Sequence, residues 1–496
     1  EEDPEAAVKA LNTCYTYLGN MDEQLYCEAM TDNAYTKQPN DATQNIGNGS
    51  YSTADPYVKK VWDGRYTGIR MCNELLENID RVPDLDPELK KRYIGEAKVL
   101  RAYNYYELYT KFGDVPYTTK VLSIKESMSI ARTAKATVIA NVLADLDEVI
   151  NGNYLPTSYD ADNKGRITRW AAMAIKAKIY LFEGNWTQVK NITSTIMTEG
   201  GFKLFGSYAG LFEIANEYNS EVILDAQYRP TSREHQMMYV FLPPTLGGYS
   251  QLSPLQELVD SYIMLDGKTI KETGTSFDES HPYANRDPRL KATVMYTGNS
   301  YTLADGTEVV INCEKGEGKD GYGVGSDCSA TGYYIKKYWD NTYRATLYSG
   351  LNPILIRYAD ILLMNAEALA ELGELDKTAW DATIKPIRDR AGFTLASVLE
   401  FPEGASKDKL IEIVRNERRS ELALEGHRHK DIIRWRIADN VLNGWCHGLK
   451  TNDVVGTDDG YVRVENRTFN ANKHYLWPIP QAERDLNGNL EQNPNW

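Results

Sequence analysis

The chain has 496 residues, 25% of them charged and 42% hydrophobic, with 70 acidic against 55 basic side chains and a formal net charge of −15. That length allows a large core and, taken alone, roughly two to four domains. The acidic balance excludes a general nucleic-acid binder, which needs a basic face, and disfavours strongly anionic polysaccharides.

Residues 1–200 read as helical, interrupted by a loop insert at 26–62. No apolar run is long enough to span a bilayer. The opening Glu1-Glu2-Asp3-Pro4 is not a signal segment, so the chain is either cytosolic or shorn of an export signal. The insert mixes Tyr26, Tyr35, Tyr51, Tyr57 and Trp62 with Asn33, Asn40, Gln44, Asn45 and Asn48. Further on, Ala97, Leu100, Asn104 and Leu108 fall on one face of a helix that Gly113 stops and Pro116 prevents from restarting. Trp170–Phe182 carries Ala171, Ala174 and Ala177 as a small-residue stripe and ends at Gly184, the pattern of a tight helical hairpin.

Residues 201–350 are rich in Gly, Tyr, Pro and Thr, with strand-like runs at Glu221–Ala226 and Thr307–Asn312. This lobe looks too poor in aliphatic runs to build a large independent core. It holds a second aromatic cluster, including Tyr283, Tyr296, Tyr301, Tyr333, Trp339 and Tyr343. The six cysteines form no Cys-x-x-Cys pair, which argues against zinc ribbon and thioredoxin-like sites. Cys313 and Cys328 flank a Gly-rich loop, and a disulfide closing it is expected in an oxidising compartment.

Residues 351–450 return to helical periodicity, with Ala359, Leu363, Ala366 and Ala370 in register before Gly373, and the tail reads as irregular. Gly184-Asn185-Trp186 and Gly373-Glu374-Leu375 resemble the turns of tetratricopeptide repeats without a steady 34-residue period. Glu417, Glu421 and Glu425 share a helix face among Arg415, Arg418 and Arg419, which predicts a structural ion-pair network. His427, His429 and Asp431 do not share one face, so no metal site is expected. Neither a nucleophile elbow nor a phosphate-binding loop is present. A carboxylate pair for glycoside hydrolysis cannot be read from a chain with 70 acidic residues.

Of the aromatics, 34 are Tyr and 9 Trp against 10 Phe. A Tyr ring is apolar on its body and wet at its tip, which suits half-exposed surfaces and polar ligands. A sugar presents a flat C–H face and a rim of hydroxyls, so exposed rings beside amides would bind it. The candidate platform and rim are Tyr35, Asn45, Tyr51 and Trp62 from the first insert, and Tyr283, Tyr301, Trp339 and Tyr343 from the second.

A series of motifs in order resembles the SusD/RagB family of Bacteroidetes outer-membrane glycan-binding lipoproteins. They are Trp62-x-x-x-Tyr66-x-x-Ile69-x-x-x-Asn73, Gly95–Pro116, Thr168-Arg-Trp170, Glu221-Val-Ile-Leu224, Asp287-Pro-Arg-Leu290 and Tyr334-Ile-Lys-Lys-Tyr338. The block Pro353–Met364 and the Glu417–Trp435 segment follow, with the Tyr475–Trp496 tail. The resemblance implies a mainly α protein, a tetratricopeptide-like helix-pair scaffold with an irregular, partly β inserted lobe. On this reading 1–200, 201–350 and 351–496 form one compact unit. It implies capture of an oligosaccharide or polysaccharide at the cell surface without catalysis or cofactor. It also implies delivery to a SusC-like TonB-dependent transporter and a lipid anchor outside this chain. The competing readings are a tetratricopeptide-type protein–protein scaffold and a glycan-processing enzyme.

Overall fold

A computed structural model of the protein describes residues 3–37, 42–342 and 347–496. Its scaffold is a succession of packed helices. Pro56–Asn78 lies against Pro87–Phe112, which contacts Lys135–Asn151. Arg169–Phe182 and Trp186–Glu199 follow as a hairpin, then Tyr358–Leu372 and Lys407–Glu421, each packed on the one before. Their starts are written locally. Asp55 and Asp86 each accept hydrogen bonds from two backbone N–H groups of the first turn and precede a proline at the first helical position. Thr168 and Ser406 cap two more. Among the described residues no helix is long and apolar enough to cross a membrane.

The face expected on Pro87–Phe112 is fully buried, Asn104 included. Asn104 sits there because Gly68 on the neighbouring helix brings the backbones close; a Cβ on Gly68 would lie 2.9 Å from Asn104 Nδ2. Ala171, Ala174 and Ala177 are likewise inaccessible, as a close-approach stripe requires. Both strand-like runs form strands. Val222–Asp225 pairs antiparallel with Ile354–Arg357, and Glu308–Val310 with Ser300–Thr302.

One expectation needs correction. The segment after Asn443 is not irregular: Gly444–Lys450, Thr457–Asp458 and Tyr461–Arg467 form a three-stranded antiparallel sheet. The lobe contributes Phe241, Tyr262, Leu290, Met295, Tyr301 and Tyr334 to an apolar core that it does not build alone. Tyr rings fill it where aliphatic side chains are scarce. The same core takes Met21 and Leu25 from the N-terminal part and Ala423, Leu424 and Leu449 from the C-terminal part.

The Glu417, Glu421 and Glu425 carboxylates are structural, but their partners come from elsewhere in the chain. Arg289, Lys337, Arg357, Arg388 and Arg390 meet them together with Asp287 and Glu221, five cations against five carboxylates in one buried network. Burial alone would raise the Glu421 carboxyl, yet Arg390, Arg357 and Arg289 pull it down to about 2. Arg418 turns instead to Asp360 and Asp431, and Arg419 to Asp32. The described residues contain no cluster of His, Cys, Asp and Glu fit for a metal.

The Cys313–Cys328 bridge is not formed, and all six cysteines are free thiols. The loop between them is closed by its backbone instead, with Tyr322 N donating to Cys313 O at 3.1 Å and Gly316 N to Tyr322 O at 3.0 Å. Cys328 Sγ donates to Lys319 O at 3.3 Å, and burial pushes the Cys313 thiol well up, which leaves it a poor nucleophile.

Candidate functional site

A groove of about 1070 Å³ is bounded by the 279–284 loop, Tyr296–Gly298, the 314–317 turn and the hairpin residues Leu449–Asp453 and Tyr461. The loop bearing Tyr283 is pinned from below. Buried Arg286 donates to Pro282 O at 2.9 Å and to Tyr262 O at 2.8 Å, tying it to the helix Gln256–Ser261. Tyr296 directly follows the strand Val294–Met295, both of whose side chains enter the core, and is itself only half-buried. The hairpin is fastened to the same short helix through His447, whose ring meets Glu257 at 2.8 Å and Asp458 at 3.0 Å.

Four tyrosines line the groove. The rings of Tyr283 and Tyr296 stack with centroids 4.0 Å apart and planes 18° from parallel. Tyr333 meets Tyr283 edge-on at 6.4 Å, their hydroxyls are 3.2 Å apart, and Tyr333 donates to Gln256 Oε1 at 2.6 Å. Burial raises both phenols, so they stay neutral and can both donate and accept. Tyr461 also lines the groove, with Lys450 Nζ 5.3 Å from its ring centroid. Lys450 pairs with Glu279 at 2.8 Å and Lys315 with Asp453, so two ion pairs join three loops at the rim. The result is a stacked aromatic floor with hydroxyl, amide and charged groups around it.

Of the residues expected at a binding platform, Tyr283 lies in this groove. Tyr35 is half-buried on the strand Ala34–Thr36 and accepts from Gln44 Nε2 at 3.2 Å. Asn45 donates to Asp55 Oδ2 at 3.4 Å, beside a helix start. Tyr51, Trp62 and Tyr301 are core residues and offer no surface. Tyr51 packs on Trp496, Trp62 sits between Tyr66 and Phe112, and Tyr301 is wholly inaccessible with its hydroxyl on Ile335 O at 2.6 Å. Trp339 covers Tyr301 edge-on and donates Nε1 to Thr302 O at 2.9 Å, away from the groove. Tyr343 lies outside the described residues. The structure thus separates the two loop clusters instead of joining them.

Tyr461 and Lys450 escaped the sequence reading. The signal was present: Asp459-Gly460 is a two-residue turn with φ of 50° and 88°, and it is followed by residues that alternate across a strand.

Comparison with known proteins agrees with this architecture. A relative from Formosa agariphila, SusD-like protein P25, is 28% identical over 492 residues, covering 89% of this chain and 87% of its own. A SusD-like carbohydrate-binding protein from Bacteroides fragilis superposes with a TM-score of 0.86 at 28% identity, covering 99% of each chain. A second SusD-like protein from the same organism gives 0.85 at 27%, covering 100% of this chain and 98% of its own. Residues 7–181 match a family model described as starch-binding, associating with the outer membrane. Residues 211–496 match the SusD family model itself, and the chain belongs to the SusD family.

Proposed function

We propose that this protein captures a neutral oligosaccharide or polysaccharide in the tyrosine groove at the cell surface, and passes it uncleaved to a SusC-like TonB-dependent transporter. The observation that carries this reading is the Tyr283–Tyr296 stack in a groove that Tyr333 and Tyr461 also line. Flat π faces attract sugar C–H faces, and hydroxyls that both donate and accept match a sugar's rim. Family membership and the carbohydrate-binding relative from B. fragilis support the ligand class. The family description of residues 7–181 supports placement at the outer membrane.

Support for capture without cleavage comes from two of the groove's four carboxylates; the other two, Glu314 and Glu317, form no ion pair among the described residues. Glu279 and Asp453 each hold a lysine in an ion pair that ties loops together. A cleaving site would instead need an acid and a base set across the bond to be broken. Binding need not be tight: a millimolar Kd takes about 4 kcal/mol, within reach of two or three stacked rings and a few hydrogen bonds.

The test is a screen against neutral and anionic polysaccharides, with product analysis after long incubation. Binding to a neutral glycan with no released sugar is expected. Release of oligosaccharides, or binding only to anionic polymers, overturns the reading. Co-purification with a TonB-dependent transporter, lost on detaching the complex from membranes, tests the delivery step separately.

A further inference from the structure

The helix and strand that wall the tyrosine groove also wall a second one. Gln256 and Lys450 line the first; Glu257, Asp260 and Trp445 line the second, a groove of about 380 Å³. The two are joined by a hydrogen-bonded chain. Tyr333 in the first donates to Gln256 Oε1, and Gln256 Nε2 donates to Asp260 Oδ1 in the second at 2.7 Å.

Trp445 is 43% exposed, and of the nine tryptophans it alone is left exposed. An indole is costly to leave in water unless something covers it. The Arg463 guanidinium stands 5.5 Å from the ring centroid and orders it. Around it the lining is polar. Asn440 is exposed and its amide has no partner among the described residues, while Asn416 anchors its own amide on Ser261 O at 3.1 Å. Of the groove's cations, Arg419 is paired with Asp32 and Arg467 with Glu465, and the exposed Lys271 stands 4.0 Å from Asp260. A flat indole, an open amide and no unpaired basic cluster suit an uncharged hydroxyl-rich chain and not an anion.

We infer that the Trp445 groove is a second binding site for a neutral polysaccharide, so that one long chain engages both grooves at once. This rests on the tyrosine groove being a glycan site. Trp445 and Lys450 stand five residues apart on one strand, about 17 Å. A tetrasaccharide seated on the tyrosines leaves Trp445 largely untouched, whereas a polymer continues to it. Once the first groove is filled, contact with the second is intramolecular and raises avidity without tightening either site.

The experiment is a glycan array carrying neutral polysaccharides and their tetrasaccharides, probed with wild type, Trp445→Ala, Asn440→Ala and Tyr283→Ala. Trp445→Ala should weaken polysaccharide binding by about tenfold or more and leave tetrasaccharide binding almost unchanged. Asn440→Ala, a surface change, should act in the same direction with an unaltered Tm. Tyr283→Ala should weaken both ligands. Undiminished polysaccharide binding in both Trp445→Ala and Asn440→Ala overturns the second site and leaves the first standing, as does an equal loss for both ligands, which denies the bridging. Undiminished binding in Tyr283→Ala overturns the tyrosine groove as primary site, whatever the other variants show. A wild type that binds no neutral polysaccharide overturns both.

Discussion

Arg357 and Glu425 form a bidentate ion pair sealed from solvent, Nε to Oε2 at 2.8 Å and Nη2 to Oε1 at 2.7 Å. The remaining donors of Arg357 go to Glu221, to the Glu421 carboxylate and to the Glu421 carbonyl, so all five are satisfied. This one side chain links the lobe strand, the C-terminal helix and the turn after it. Arg357→Met leaves three carboxylates short of a cation in a buried site and should cost about 3–5 kcal/mol in chemical denaturation. Lys377→Ala, which breaks the solvent-exposed pair with Asp381, should not shift the midpoint measurably. Equal effects of the two changes would refute a special role for the buried network.

Tyr283 is half-buried, and its stacking partner Tyr296 remains when it is removed. Tyr283→Ala should therefore lower glycan affinity by about tenfold, in line with roughly 1 kcal/mol for each stacked ring plus its lost hydroxyl contacts. Tyr283→Phe keeps the ring and loses the hydroxyl, and should retain most of the affinity. Isothermal titration with the glycan found in the screen separates the two. A Phe variant as weak as Ala would mean the hydroxyl, not the face, is recognised.

Trp339 tests the opposite case. Its indole shields Tyr301, which is wholly buried, and its Nε1 is tied to Thr302 O. Trp339→Ala should destabilise the lobe by about 2–3 kcal/mol and leave glycan affinity unchanged. A binding defect without a fall in Tm would return Trp339 to the platform.

What the sequence made legible, and what it hid, divides along range of interaction. The Ala stripe at 171–177 and the stop at Gly113 depend on residues a few positions apart, and both were readable; the helix start at Pro56 was missed and falls inside the segment read as a loop insert at 26–62. The partners of Glu417, Glu421 and Glu425 were not. Arg415, Arg418 and Arg419 are near in sequence, yet Arg289 and Arg357, 132 and 64 residues from Glu421, reach its carboxylate. Tyrosine is ambiguous for a related reason: Tyr283 and Tyr301 have the same chemistry, and the difference is whether a strand pairs behind the ring. Composition cannot report that. Of the groove walls, Tyr283 was named from the sequence, while Tyr461 escaped it although Asp459-Gly460 marks its hairpin.

Residues 201–350 should not fold when excised. The lobe's core is completed by Met21, Leu25, Ala423, Leu424 and Leu449, and the ion cluster beneath it takes Arg357, Arg388, Arg390, Glu417, Glu421 and Glu425 from outside that range. An isolated fragment would expose apolar surface, leave Arg289 with Asp287 alone and strand Lys337 without its partner Glu425. Circular dichroism of the fragment should show no cooperative transition. Limited proteolysis that releases a stable piece from this region would contradict the expectation.

Acid stability should be set in part by two half-buried histidines, His427 and His429. Burial holds His427 and His429 near pKa 3, assisted by the cations beside them, Lys178 for the first and Lys111 with Lys430 for the second. Asp360 and Glu425 face His427, and Glu107 faces His429, without reversing the shift. Unfolded, each ring protonates near 6.5. A folded pKa below the unfolded one means the stabilisation is complete above pH 6.5 and is lost as pH falls towards 3, at about 1.4 kcal/mol per pH unit for each ring. Glu28 and Glu217 oppose this, because burial raises both carboxyls to about 7 and the folded state takes up their protons first. The wild-type curve therefore blends the two, and a difference measurement isolates the histidines. His427→Asn and His429→Asn each have a fixed cost at neutral pH, yet each should gain on wild type by about 1.4 kcal/mol for every pH unit between 6.5 and 4.5. Denaturation midpoints taken at half-unit steps across that range give the slope directly. Parallel curves for variant and wild type would show that the rings are protonated in the folded state, and that the cavity they line is wetter than its geometry implies.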